Sequence, residues 1–334
     1  MTIDLSAITY QVVAVLSDGS KLNLETVAEN IAWEENENEL SMRLNLTLRD
    51  VELDTGGRLS SKLALCTVVY LFANWDGTQR EVFRGTIWDW EHPQIYGEKV
   101  TITCYDLLYY AQKSQDNRYF SKNTKTKDVL SAIFKAWGLT MGVYSAPNEK
   151  HGKLLYKNKT VASMITETLK DAEELSGGTK SFVRANAGKV DVVEYGANAD
   201  VFGFYAGQNI VQSSDRYSMT DLVTRVLVTG KEDKNGRPKT ETTLNGLTQY
   251  GILQTIHARG SASLSEAKKA AQKILQEKGK PKRITTIRAM EFPGIRKGDK
   301  VFIQTDSMSQ YFYVTGVAHN ATNAMMQMEV EAVE

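Results

Sequence analysis

From Leu40 to Arg49 the chain alternates without a break: Leu40, Met42, Leu44, Leu46 and Leu48 alternate with Ser41, Arg43, Asn45, Thr47 and Arg49. A period of two puts one set on each face of a β-strand. At about 3.3 Å per residue these ten positions would run roughly 33 Å, where a common strand has about five or six residues. The pattern predicts one long, one-sided strand with no chemistry nearby. Four further runs, "TYQVVAVL", "TVVYLFANW", "REVFRGTIWDWE" and "KVTITCYDLL", predict strands up to about Tyr110. Turn formers separate them at Ser17 to Ser20, Asp54 to Gly57, Trp75-Asp76-Gly77 and Tyr96-Gly97. Asp76-Gly77 between two alternating runs predicts a tight hairpin.

Near Lys113 the texture changes. "KDVLSAIFKAWG" has a helical period, with Val129, Ile133 and Trp137 on one face and Gly138 as its stop. "KTVASMITETLKDAEELSGG" predicts a second helix, carrying Val161, Ile165 and Leu169. "KSFVRANAGKVDVVEYG" predicts a hairpin turning at Asn186 to Gly188. Helix, strand, helix and hairpin make a small α+β domain. Strands return after Phe202, with "LVTRVLVTGK" and a polar loop, "EDKNGRPKTE". The helix "SLSEAKKAAQKILQEKGKP" follows, with Ser263 and Glu266 at capping-box spacing and an apolar stripe of Leu264, Ala267, Ala271, Ile274 and Leu275. "KRITTIRAMEF", "DKVFIQT", "QYFYVTGVAHN" and "MMQMEVEAV" close the chain.

The ending repeats the beginning. Strand, turn, strand with a central glycine, loop and alternating strand occur in both places. Gly85 corresponds to Gly316, Phe83 to Val314 and Ile87 to Val317. The fold class expected is mainly β with an α+β insertion: two related antiparallel β-barrel domains in one chain plus a small α+β domain. The boundaries expected are 1–112 for the first β-domain and 113–206 for the insertion. The second β-domain takes 207–245 and 284–334, with a helical excursion over 246–283 packing near the insertion.

Lys plus Arg and Asp plus Glu both number 40 among 334 residues, so no net field draws in nucleic acid or an acidic membrane. The balance hides two patches: an acidic opening that includes "WEENENE", and a mostly basic stretch from Lys113 to Lys159. Complementary faces that meet another copy or a partner are one reading, and solvated surface is the other. No apolar run approaches the roughly 18 residues of a membrane span, and the first residues lack the pattern of a signal peptide. Neither membrane insertion nor export by a leader is expected.

Candidate chemistry is sparse. Cys66 and Cys104 lie in strand-like runs and are expected as buried apolar residues in a reducing compartment. His92, His151, His257 and His319 stand far apart, without metal-ligand spacing. There is no GxSxG, GxxxxGK[ST] or GxGxxG, and "SGGTK" follows a helix where a phosphate cradle would precede one. Asp89 and Glu91, or Glu173 and Glu174, are not singled out as a glycosidase pair. The lysine-rich helix has no aromatic for base stacking. Catalytic, metal and cofactor residues are therefore expected to be none, and no specific nucleic-acid binding is expected. Aromatics gather in the strands instead: Trp75, Trp88, Trp90, Tyr105, Tyr109, Tyr110, Tyr311, Phe312 and Tyr313. Aromatics on both faces of a strand fit burial of the second face by another protein.

The closing "GIRKGDKVFIQTDSMSQYFYVTGVAHN" resembles the GD-V…Y-V…V-H ending of contractile-tail baseplate hub proteins. "NRYFSKNTKTKDVLSAIFKAWGL" resembles the start of their inserted domain, and "DLVTRVLVTGKED" the strand that re-enters their second barrel. The group takes in hubs of long contractile-tailed phages, the late control protein D family, the hub part of VgrG proteins and, nearest in length and order, XkdQ-like proteins of defective prophages. The resemblance covers nearly the whole chain and rests on order and strand texture. It implies a non-enzymatic homotrimer whose six similar β-units adapt a six-fold tail tube to a three-fold spike. The partners implied are the tail tube protein or a tube initiator, a separate spike protein and other baseplate proteins. The place implied is the baseplate of a phage or tail-like bacteriocin particle, made in the bacterial cytoplasm. Strands over 68–72, 83–90, 301–303 and 311–317 are expected as barrel wall. The interface and wall candidates are Leu40, Arg43, Arg49, Val69, Phe83, Gly85, Trp88, Val301, Tyr311, Tyr313, Gly316 and Met328. The rival functions are a tail-associated peptidoglycan hydrolase and a single-strand nucleic-acid-binding barrel.

Overall fold

The computed structural model of the chain describes residues 4–54, 56–93, 98–232, 234–260 and 262–333. The turn expected at Tyr96-Gly97 and Thr55 of the Asp54 to Gly57 turn lie outside the described residues. Two units emerge: residues up to 213 together with 287 onward form one, and 214–286 form the other.

The first unit opens with β1 (Thr9–Val15), β2 (Lys21–Asn23), β3 (Ala28–Glu35), β4 (Arg43–Arg49), a helical turn α1 (Leu59–Lys62), β5 (Val68–Trp75), β6 (Thr78–Glu91) and β7 (Lys99–Tyr105). Asp76 and Gly77, with φ of 53° and 69°, make the two-residue turn between β5 and β6, as a primed hairpin turn requires. The strand expected from Leu40 begins only at Arg43. Side chains have taken the backbone donors ahead of it: Ser41 N–H donates to Gln112 Oε1 at 2.8 Å and Met42 N–H to Asp106 Oδ2 at 2.9 Å. Leu40 then turns away and packs on the neighbouring core. Leu44, Leu46 and Leu48 are fully buried, in one core with Val69, Leu71, Phe83, Ile87 and Ile102.

The insertion follows: α2 (Leu108–Lys113), β8 (Gln115–Phe120), α3 (Thr126–Ala136), β9 (Met141–Tyr144), β10 (Leu154–Thr160), α4 (Val161–Leu175), β11 (Ser181–Asn186) and β12 (Lys189–Glu194). The Thr160 side chain caps α4 by accepting from Ser163 N–H at 3.0 Å. α3 and α4 bury Val129, Leu130, Ile133, Phe134, Val161 and Ile165 in a core of their own. Trp137, expected on that face, lies beyond the last helical turn and is exposed. Ala187 and Gly188 turn the β11–β12 hairpin with φ of 45° and 77°.

The second β-module comprises β13 (Phe202–Tyr205), β14 (Ile210–Ser218) and, after the other unit, β18 (Lys282–Met290), β19 (Lys300–Gln304), β20 (Ser309–Asn320) and β21 (Met325–Ala332). Its strands lie in the order β13-β19-β20-β21-β18-β14, and those of the first module in the order β1-β5-β6-β7-β4-β3, with β2 added outside β1. Ranked by chain position, both orders read 1-4-5-6-3-2. One sense differs: β1 runs antiparallel to β5, whereas β13 runs parallel to β19. Phe83 and Ile87 of β6 are buried, as are Val314 and Val317 of β20, and both strands shift register near the central glycine. The modules share one hydrogen-bonded sheet, because β20 pairs with β3 from Val317 opposite Glu35 to Asn320 opposite Ala32.

Between β14 and β18 the chain forms β15 (Arg225–Glu232), β16 (Pro238–Asn245), β17 (Gln254–Ala258) and α5 (Leu264–Lys278). β15 and β16, assigned by pattern to the second β-domain, form a separate sheet in the order β16-β15-β17. Val226 and Val228 bury against Ala267 and Ala271 of α5. Alternation says that a strand has a dry face but not which apolar surface will cover it. The capping box of Ser263 and Glu266 forms as read.

Candidate assembly surface

The register across the seam places polar side chains in rows. One row runs Gln327, Ala318, Glu34, Arg43, Tyr105, Thr86 over β21-β20-β3-β4-β7-β6. The next runs Met325, Asn320, Ala32, Asn45, Thr103, Asp89. Six strands at about 4.8 Å spacing make each row roughly 24 Å wide. Side chains in and beside the rows bond to each other. Arg43 pairs with Glu34, Thr103 Oγ1 donates to Asn45 Oδ1 at 3.1 Å, and Asn320 Nδ2 donates to Asn30 Oδ1 at 3.0 Å across the seam. Arg43 also reaches Tyr105, whose ring stacks on Tyr109 at 3.7 Å.

Beneath the seam a charged knot ties three parts of the first unit together. Glu35 takes both Arg296 Nη2 at 2.8 Å and Arg296 Nε at 3.1 Å, a bidentate pair whose carboxylate is buried and whose guanidinium is largely so. Arg296 Nη1 donates to the Ala185 carbonyl at 3.0 Å in the insertion. Lys297 Nζ donates to the carbonyls of Asn36 and Glu39. Asp299 accepts from Arg184 Nη1 at 3.1 Å. Burial alone would raise the Glu35 carboxyl, but the charges and hydrogen bonds of Arg296 and Lys297 outweigh it and hold the group below the usual range. Burial lowers the Lys297 ammonium and raises the Asp299 carboxyl. Asp106, which receives the N–H groups of Met42 and Leu108, is pushed by burial up to about 7.

Above the seam, Glu34, Glu37, Glu39 and Glu329 line a crevice of about 440 Å³ together with Ala318. Among the described residues no group of three or more His, Cys, Asp or Glu is arranged to hold a metal ion.

The candidate residues fall into distinct places. Val69 and Phe83 lie in the first core, and Val301 and Met328 in the second. Gly85 and Gly316 sit where another backbone comes close: a Cβ on Gly85 would stand 2.2 Å from the Tyr105 carbonyl, and one on Gly316 3.3 Å from that of Glu35. Trp88 packs edge-on to Tyr109 and Tyr110 at 4.7 and 4.9 Å. Tyr311 is half exposed against Phe302 at 5.2 Å, and Tyr313 meets Tyr195 at 5.9 Å. Arg49 ends β4 with a bond to the Thr26 carbonyl at 3.1 Å, and Leu40 packs on the insertion core. Arg43 and Trp88 meet the same tyrosine cluster; the others are dispersed. Sequence reasoning missed the knot. Its signal was Glu35, which continues the dry-face series of Ile31 and Trp33 two residues on.

Two β-modules of one strand order, with polar rows crossing the seam between them, make a fold that solved tail proteins share. The chain resembles the 43 kDa tail protein of prophage MuSo2 from Shewanella oneidensis (TM-score 0.67, 12% identity, 97% of this chain and 98% of that one). It also resembles the Escherichia coli c3393 protein (TM-score 0.55, 9% identity, 92% of this chain and 74% of that one). That protein is described as a component of the type VI secretion system similar to the T4 bacteriophage tail proteins gp27 and gp5. Residues 31–333 match the YQBQ-like family, and the chain belongs to it. It is 23% identical over 265 residues to the phage-like element PBSX protein XkdQ of Bacillus subtilis (strain 168), covering 78% of this chain and 79% of that protein.

Proposed function

We propose that this chain is the structural hub of a contractile-injection baseplate. Three copies form a ring of six β-modules that joins a six-fold tail tube to a central spike. The observation that carries the reading is the strand order 1-4-5-6-3-2, present twice in one chain. A duplicated module in a cyclic trimer yields quasi-six-fold symmetry. The charged knot and the β3–β20 pairing suit a part that transmits load, since they fix one module against the other. The relatives named for tails and for a phage-like element support the same placement.

The ring works by position rather than by catalysis: it closes the tube end, seats a spike supplied as a separate protein and contacts other baseplate proteins. Its place is the baseplate of the assembled particle. The mass of the purified protein, alone and with its tube protein, tests this. Three chains per complex in the presence of tube protein are expected. A chain that stays single with tube protein present overturns it. A fall in turbidity of purified cell walls on adding the protein would instead favour the hydrolase reading, and a salt-sensitive gel shift with single-stranded DNA the nucleic-acid one.

A further inference from the structure

The insertion carries a two-stranded ribbon, β8 with β10, and one face of it is bare. Tyr156 points inward, where its hydroxyl meets Thr168 Oγ1 at 2.8 Å. On the other face Tyr119 and Leu155 stand directly opposite each other, 56% and 59% exposed. A Tyr–Leu pair left in water at a cross-strand position forgoes the packing that such pairs normally supply. Lys153 and Lys157 flank it, two residues either side of Leu155, and form no ion pair among the described residues.

The charge pattern bears on what covers this face. Residues 113–159 hold ten Lys or Arg against three Asp or Glu, while residues 1–54 hold eleven Asp or Glu against three Lys or Arg. The seam crevice complements the ribbon in charge: Glu34, Glu37, Glu39 and Glu329 line it together with the exposed Ala318. A closed ring of three identical chains needs two unlike surfaces on each chain, because every contact is head-to-tail. We propose that the Tyr119–Leu155 face docks into the acidic seam crevice of the next copy, with Lys153 and Lys157 on its glutamates. This rests on the ring reading above and names the contact that closes the ring.

The test is charge reversal and rescue in the full chain, read by native mass with tube protein present. Lys153→Glu with Lys157→Glu should raise the concentration needed for the three-chain complex at least tenfold, as should Glu37→Lys with Glu329→Lys. All four changes in one chain should restore it. Tyr119→Ala with Leu155→Ala should weaken assembly while leaving the monomer's thermal transition in place, which separates docking from folding. If both reversals leave the complex unchanged, or the fourfold variant stays as impaired as either pair, the docking proposal fails and the ring stands. So it does if the lysine reversal leaves the ring intact but abolishes capture of another baseplate protein. If the unaltered chain never trimerises with tube protein, the ring reading itself fails and this contact with it.

Discussion

Trp33 and His319 lie flat against each other, ring centroids 4.7 Å apart and planes 7° from parallel. They are partners in the β3–β20 pairing, so this stack is where the two β-modules meet on the dry side of the sheet. His319 Nδ1 faces Glu291 at 2.9 Å and Nε2 faces the Ile295 carbonyl at 3.0 Å. The ring is thus fixed at three points. Trp33→Ala should destabilise the chain by about 3–5 kcal/mol, the usual range for emptying a buried tryptophan site. Urea midpoints measure it. A double-mutant cycle with His319→Ala should give a coupling of roughly 0.5–1.5 kcal/mol, the worth of a good aromatic pair. Additive losses would mean that the stack is incidental.

Arg296, its side chain 19% exposed, holds the carboxylate of Glu35, which is buried. Arg296→Met removes one charge and strands the other, which should cost about 3–5 kcal/mol. Adding Glu35→Leu to Arg296→Met should recover much of that, because a matched apolar pair leaves no buried charge. Recovery is the informative result. If the double variant is no better than the single one, the knot contributes through the other bonds of Arg296.

Asp106 and Glu35 respond to pH in opposite senses. Glu35 is held below its ordinary range, so its contribution is full above that range and fades as acid protonates it. Asp106 is raised from 3.8 to about 7 by burial. Across that window the folded chain keeps a proton that the unfolded chain has released, so stability falls as pH rises toward 7. Asp106→Asn removes this slope. The variant's urea midpoint relative to the parent should therefore climb between pH 5 and pH 8. A difference that does not change with pH would show that Asp106 titrates normally.

Gly85 and Gly316 occupy equivalent places in the two modules but not equivalent space. The nearest obstacle to a Cβ on Gly85 is the Tyr105 carbonyl, which cannot swing aside. Gly85→Ala should cost about 3 kcal/mol or more, at the upper end for overpacking. Gly316→Ala meets nothing closer than 3.3 Å and should cost about 1 kcal/mol. Thermal melts of the two variants rank them; a reversed ranking would contradict the close approach at Gly85.

These residues also mark what could be read from the chain alone. Alternation located most strands of the first module, and the glycine correspondence pointed to a repeat that the strand order repeats. It could not assign β15, because Val226 and Val228 ask only for an apolar cover and α5 supplied it. It overran β4 by three residues, because the donors of Ser41 and Met42 are claimed by Gln112 and Asp106, far along the chain. The knot stayed hidden for a related reason. Charge in "WEENENE" looks solvated when counted, and only the parity of Glu35 with Trp33 shows that one of those carboxylates turns inward.

Cys66 departs from the buried role expected for it, and this can be checked cheaply. It is exposed, with φ of 66°, and its N–H donates to the Ile87 carbonyl at 2.8 Å. Cys104 is fully buried in β7 between β4 and β6, and burial pushes its thiol up, away from the reactive thiolate. A thiol reagent should modify one cysteine promptly in the native chain and both in denaturant. Native modification of Cys104 requires β7 to open, so it should run at least about a thousandfold slower than that of Cys66. That slow rate measures opening of the β4-β7-β6 sheet itself, and Trp33→Ala, which loosens β3 beside β4, should accelerate it. Equal rates at the two thiols would mean that the first module is not closed over Cys104.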